Sequence, residues 1–202
     1  MSGGFYFVAW GMWIASAFLM EKGRRRTRLM FGLLLVIILS DVNIPFGTVK
    51  VNAAHLAVFA AGYGFFVGRR MLELLRLILV DLILTMLYVL IRIYLLIDPA
   101  ILLVLKEWMF YLGWACVTLF LVKPFGLRLA TAAVAVCQAE ALMALLFYPY
   151  ENDIGDATSF TALTILTVTI MGWAAFEQFA VRLQLAVSRS SQRRLLKVQR
   201  KG

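Results

Sequence analysis

Apolar positions along the chain gather into seven runs, at roughly 4–20, 29–46, 53–68, 77–97, 101–122, 129–148 and 160–181, separated by brief polar stretches. A helix needs about 20 apolar residues to cross the hydrocarbon core of a bilayer. Several runs are short for this, so their ends are fixed only to within several residues. Seven such helices consume nearly the whole chain. The expected fold is all-α: a polytopic membrane helix bundle of seven transmembrane helices over 1–181, followed by a basic cytoplasmic tail, 182–202.

The polar stretches alternate in character. Stretch 21–28 carries Lys22, Arg24, Arg25, Arg26 and Arg28; 69–76 carries Arg69, Arg70 and Arg76; 123–128 carries Lys123 and Arg128. The tail carries Arg182, Arg189, Arg193, Arg194, Lys197, Arg200 and Lys201. These four stretches hold 17 of the 20 Lys and Arg residues. The intervening ones are base-poor: Ser40 to Asn52 has one Lys, the Asp98-Pro99 turn none, and Tyr148 to Ser159 has Glu151, Asp153 and Asp156 without a base. Basic loops stay on the cytoplasmic side, so the expected orientation is N-terminus out, C-terminus in. Tyr6, Trp10, Trp108, Tyr111, Tyr148 and Tyr150 fall near the expected outer ends, where amphipathic rings anchor at the headgroups. Pro45, Pro99, Pro124 and Pro149 all fall at span ends, where they break no helix interior.

Composition agrees. Of 202 residues, 63% are hydrophobic and 15% charged, against about half and a quarter in soluble domains. The net charge of +9 invites a nucleic-acid partner. The bases, however, cluster between apolar runs rather than along a polar face, which excludes that reading. Cys116 and Cys137 lie within apolar runs with no CxxC, and read as small buried residues. Ala15-Ser16-Ala17 resembles a signal cleavage site, but the bases follow the apolar run instead of preceding it, so a retained first span is expected.

Charges within spans are expensive, about 2.5–3.5 kcal/mol each near a helix centre, and are the places to look for chemistry. Asp81, Thr85, Tyr88 and Arg92 share a helical face, with Asp81 and Arg92 about 16 Å apart along the axis, too far to pair. Asp81 is placed near the cytoplasmic end, within reach of Arg76 or Arg69-Arg70. Lys106 and Glu107 are placed in the outer half of the fifth span, and Glu140, beside Gln138, nearest mid-membrane in the sixth. Arg92, Glu107 and Glu140 form the candidate polar or ligand cluster. An Arg–Glu bridge between neighbouring helices competes with a solute or ion site. Glu177 is placed near the cytoplasmic interface with Arg182 as partner. His55 stands alone as an interface residue, and no metal-ligand spacing, nucleophile motif or cofactor fingerprint is present. Ala60, Gly64 and Gly68 recur every four residues and suit close helix packing, within the chain or in a homo-oligomer. Arg182, Arg189, Arg193, Arg194 and Lys197, with leucines interleaved, suit anionic lipid headgroups, at about 1 kcal/mol per base; a protein-docking helix is the alternative.

The stretch Phe5-Tyr6-Phe7-Val8-Ala9-Trp10-Gly11-Met12-Trp13-Ile14, continuing through Phe18-Leu19-Met20-Glu21-Lys22, resembles the start of the YphA-type membrane proteins of Bacillus and relatives. Length and span count fit that family. The resemblance implies a bacterial plasma-membrane protein in a spore-forming host and carries over no functional residues. The expectation is a small non-enzymatic membrane protein without cofactor, which binds a membrane-protein partner or helps assemble or regulate a membrane process. The competing class is a small-solute or ion transporter or channel using the outer-half cluster in the fourth to sixth spans.

Overall fold

Leu-, Ile- and Ala-rich runs free of interior proline form the helices seen in the computed structural model, which describes residues 3–98, 100, 105–148 and 153–199, with side chains to Leu185. Among these residues there are seven helices: α1 (Gly3–Leu19), α2 (Arg24–Leu39), α3 (Ala53–Gly64), α4 (Met71–Ile97), α5 (Glu107–Leu121), α6 (Phe125–Leu146) and α7 (Ala157–Gln199). Three short strands, β1 (Asn43–Phe46), β2 (Val49–Asn52) and β3 (Asp153–Ile154), complete the order.

The bundle is organised around α6. Its small side chains Ala132, Ala135 and Ala139 are fully buried with Val134 and Val136, and α3, α4, α5 and α7 all pack on it. Small residues let neighbouring backbones close in where lipid supplies no hydrophobic push between helices. The sharpest approach is at Gly62 of α3, where a Cβ would stand 2.4 Å from Val134 Cγ2 and 3.2 Å from the Ala130 carbonyl. α1 closes the bundle against α2 and α7. The outward faces are apolar, as at Phe7, Leu72 and Phe120, each more than four-fifths exposed. That is the inversion expected when the solvent is lipid.

Among the described residues three helices are long and apolar enough to cross a membrane: Met71–Ile97, Phe125–Leu146 and the Ala157–Leu185 part of α7. At 1.5 Å per residue, α1, α2 and α5 reach about 22–26 Å, and α3 about 18 Å. α7 runs on through the basic tail as one helix of 43 residues, about 65 Å long and twice the hydrocarbon thickness.

Several boundaries differ from those read in the sequence. The run 29–46 ends as helix at Leu39, because Asp41, Asn43 and Pro45 turn the chain into β1. The run 53–68 leaves the helix after Gly64 and turns at Gly68, whose φ is +81°. α4 starts at Met71 rather than 77, which places Asp81 about 15 Å from the helix start instead of at its end. The run 101–122 is helical from Glu107, with Lys106 as its N-cap, so both charges sit at the helix entry, not within it; residues 101–104 lie outside the described residues.

The strands tie loops together. β1 and β2 pair antiparallel, Asn43 opposite Asn52 and Phe46 opposite Val49, around a turn in which Gly47 takes φ +65°. β2 pairs in parallel with β3, which sets Lys50 opposite Asp153, an opposite-charge cross-strand pair. The α2–α3 and α6–α7 connections therefore lie at one end of the bundle. Asn52 locks this end: its Oδ1 accepts from Ala54 N and caps α3, while Nδ2 donates to the Ser40 carbonyl and to Asn43 Oδ1. Ser40 in turn bonds Tyr6 of α1 at 3.0 Å. At the start of α7, Asp156 Oδ1 accepts from Ser159 N, as an N-cap aspartate does.

Candidate functional site

One face of α4 turns toward α5 and α6 and carries Asp81, Thr85 and Tyr88, all buried, with half-buried Arg92 above them. The four-residue spacing that predicted a shared face is realised. Tyr88 Oη donates to Glu140 Oε1 of α6 at 3.1 Å, with both residues at 2% exposure or less. Its ring stacks on Tyr111 of α5, centroids 5.8 Å apart, and meets Trp114 edge-on at 5.7 Å. Tyr111 Oη donates to Glu107 Oε1 at 2.7 Å, and Arg92 hydrogen-bonds Tyr111 as well. Arg92 also interacts electrostatically with Glu140 and with Asp156 at the foot of α7.

Arg92, Glu107 and Glu140 thus belong to one network, but two tyrosines join them. Tyr111, expected as an interface anchor, is 1% exposed and sits at the centre. Its heptad-like companion Trp114, one turn on, is also buried and donates from Nε1 to the Leu84 carbonyl of α4 at 3.0 Å. Tyr111 and Trp114 fall three residues apart on one face of an apolar helix, and that spacing was the available signal. Trp10, Trp108 and Tyr148 are exposed, in keeping with anchors; Tyr150 lies outside the described residues. Lys106 is exposed and stands apart from the network.

The remaining polar residues are placed differently from expectation. Among the described residues no arginine pairs with Asp81; Gln138 is the polar neighbour of its carboxylate, while Arg69 pairs with Glu73 at 4.0 Å. Asp81 is too deep along α4 for the basic loop to reach. Glu177 pairs at 3.3 Å with Arg128, not Arg182, and also accepts from Trp173 Nε1. Arg128, counted as a loop base, is 6% exposed and donates from Nε to the Val122 carbonyl that ends α5. It is drawn in because α6 begins at Phe125, which makes Arg128 part of its first turn.

His55 is 2% exposed, and a Cβ added at Gly155 would stand 3.0 Å from its own Cβ, so the glycine is what leaves the histidine its space. The small-residue stripe Ala60, Gly64 and Gly68 faces outward, and a Cβ at Gly64 or Gly68 would meet nothing within 4 Å. The close approach belongs to Gly62, on the opposite face. Of the bases assigned to lipid, Arg182 is exposed; the side chains of Arg189, Arg193, Arg194 and Lys197 lie outside the described residues. Among the described residues no three His, Cys, Asp or Glu side chains gather into a metal-binding group.

Two carboxylates, two phenols and a guanidinium linked in one chain of contacts can do two things in an apolar bundle. They satisfy each other's donors and acceptors, locking α4, α5 and α6 in register. They can also pass a proton, since every member exchanges one except arginine.

Comparison with known proteins fits this picture. The protein named "Uncharacterized protein YphA" from Bacillus subtilis (strain 168) is 24% identical over 193 residues, covering 93% of this chain and 94% of that one. No solved structure matches the chain. The family model described as YphA-like integral membrane protein matches residues 3–195. The chain therefore belongs to the YphA-like integral membrane protein family.

Proposed function

We propose that this chain is a seven-crossing plasma-membrane protein, N-terminus outside and C-terminus in the cytoplasm, that acts without catalysis by binding a membrane partner and so helps assemble or regulate a membrane process. One observation carries the functional part. The centre of the polar network is closed to solvent: Tyr88, Tyr111 and Glu140 are 0%, 1% and 2% exposed, while half-buried Arg92 and exposed Glu107 lie at its rim. Groups that line a route for solute need water access; groups that hold helices together do not. The basic helical continuation of α7, reaching well beyond the apolar bundle, is the element available to a partner or to anionic headgroups at the cytoplasmic face.

The orientation rests on the alternation of bases, supported by two ties. The β2–β3 pairing joins two base-poor loops, and the Arg128–Glu177 pair joins the α5–α6 connection to the part of α7 that leads into the basic tail.

The second reading is a small-solute or ion transporter. It is favoured by the continuity of the network, which runs from exposed Glu107 through Tyr111 and Tyr88 to buried Glu140. Substituting Glu140→Gln separates the two, because glutamine still accepts from Tyr88 but exchanges no proton. The partner-binding reading expects a stable variant, changed by about 1 kcal/mol, that fully complements a deletion strain. Truncation after Leu185 is expected to leave the bundle's thermal stability unchanged yet fail to complement. A stable Glu140→Gln protein that fails to complement would point to transport.

A further inference from the structure

Toward the basic end from the tyrosine network, α3, α4 and α6 enclose a second polar group that the bundle leaves incomplete. Asp81 is 4% exposed, and its Oδ1 has no hydrogen-bond partner. Among the described residues the polar neighbour of its carboxylate is Gln138, whose Nε2 donates to Tyr63 Oη at 2.6 Å. Gln138 Oε1 stands 3.0 Å from Thr85 Oγ1, and Thr85 Oγ1 stands 2.8 Å from the Asp81 carbonyl. The single hydroxyl proton of Thr85 therefore faces two acceptors. One oxygen of the Asp81 carboxylate is left without a donor.

Nor is there a counter-charge. Among the described residues no Arg, Lys or His lies within ion-pair distance of Asp81. The titratable groups facing it are Cys137 on α6 and, through Gln138, Tyr63 on α3. A buried carboxylate in lipid must be neutralised by a partner, by a proton or by a bound cation. The first is missing.

We infer that Asp81 Oδ1, with Thr85 Oγ1 and Gln138 Oε1, forms a binding site for a small monovalent cation, a sodium ion or a proton. The ligands are hard oxygens supplied by side chains, the type that takes hard cations, and a single carboxylate balances one positive charge rather than two. Gln138 is half-buried and Tyr63 is 38% exposed, so these two connect the carboxylate to the bundle surface and give the ion its way in. The site is separate from the Glu140 network, whose carboxylate already holds Tyr88 and Arg92.

The test uses the purified full-length protein in detergent, with thermal melts at alkaline pH and labelling at mildly acidic pH, where a buried carboxyl carries the proton that the reagent needs. Sodium chloride is compared with N-methylglucamine chloride at equal ionic strength. Carbodiimide, which modifies neutral buried carboxyls, is mapped to individual residues by mass spectrometry. If the site takes sodium, sodium raises Tm by about 5 °C or more, as for a ligand at roughly a hundredfold its dissociation constant. It also protects Asp81 from carbodiimide while leaving Glu140 labelling unchanged. Asp81→Asn removes the thermal effect, and Thr85→Val weakens sodium affinity by about tenfold. If the site takes a proton, sodium is without effect and acidification raises both Tm and Asp81 labelling, the Tm response again being lost in Asp81→Asn. The labelling is read on the native chain, so it decides the matter even if the variant does not fold. Asp81 labelling indifferent to both sodium and pH, or sodium stabilisation that survives Asp81→Asn, would overturn the assignment.

Discussion

Replacing Trp114 by alanine is expected to destabilise the protein by about 3–5 kcal/mol, the largest effect of any single side-chain truncation in the bundle. Trp114 is 2% exposed and packs edge-on against Tyr88, with Nε1 bonded to the Leu84 carbonyl. Truncation leaves a cavity between α4 and α5 and frees the Tyr88 ring that presents its hydroxyl to Glu140. In a membrane bundle helix association depends on packing and interhelical hydrogen bonds rather than on escape from water, so a lost ring has little to replace it. Thermal unfolding in detergent should show Tm lower by about 10 °C. Trp114→Phe should recover much of the loss, and Trp10→Ala, on an exposed ring, should shift Tm little. Equal losses at Trp114 and Trp10 would show that the α4–α5 seam is not the packed core described.

Adding one methyl at Gly62 is expected to cost about 1–3 kcal/mol. Its Cβ would sit 2.4 Å from Val134 Cγ2, and Val134 is fully buried. A β-branched residue in a helix keeps essentially one rotamer, so Val134 has nowhere to turn. The Ala130 carbonyl at 3.2 Å is backbone and moves only if α6 moves. Gly62→Ala should therefore lower Tm, and Val134→Ala in the same chain should restore part of the loss, giving a coupling energy of about 1 kcal/mol or more in the double-mutant cycle. Gly64→Ala, which meets nothing within 4 Å, should be neutral or slightly stabilising through helix propensity. The opposite ranking would place the α3 interface on the outward stripe.

The contrast between Gly62 and Gly64 shows where sequence reading ran out. Hydropathy alone locates the helices, because an element bathed in lipid must be apolar nearly all round. For the same reason it hides which face turns inward. A regular stripe such as Ala60, Gly64 and Gly68 is easy to see, whereas one glycine facing Val134 on another helix leaves no local pattern. Charges fare better. Arg92, Glu107 and Glu140 stood out as costly in lipid, and the bundle does bring them into one network. The groups that join them, Tyr88 and Tyr111, were obscured because tyrosine is equally at home at the headgroups. Arg128 and Asp81 were placed by assumed span boundaries, and a shift of a few residues in helix start moved both into the bundle. Asn52 and Asp156 carry cap signals that sequence could supply, each an Asx residue before an apolar helical run. The β2–β3 pairing could not be read, since strands of four and two residues separated by some hundred positions carry no periodicity of their own.

The polar groups within the bundle divide by how fully they are satisfied. Glu140 and Tyr88 bond to each other in a buried, aromatic-walled site; Asp81 keeps one oxygen bare. The first arrangement holds helices. The second leaves an oxygen for the cation proposed above.

Seven crossings require every helix to span the membrane, and α3, with 12 helical residues, is the shortest of them. Single cysteines placed on a chain in which Cys116 and Cys137 are replaced by alanine test this directly, at exposed positions on the five connections from α1 to α6. In intact cells a membrane-impermeant maleimide should label Thr48→Cys and Asp98→Cys at once, and Lys22→Cys, Arg70→Cys and Lys123→Cys only after lysis. Labelling of Thr48→Cys and Arg70→Cys from the same side would mean that α3 does not cross, and would contradict the seven-crossing arrangement.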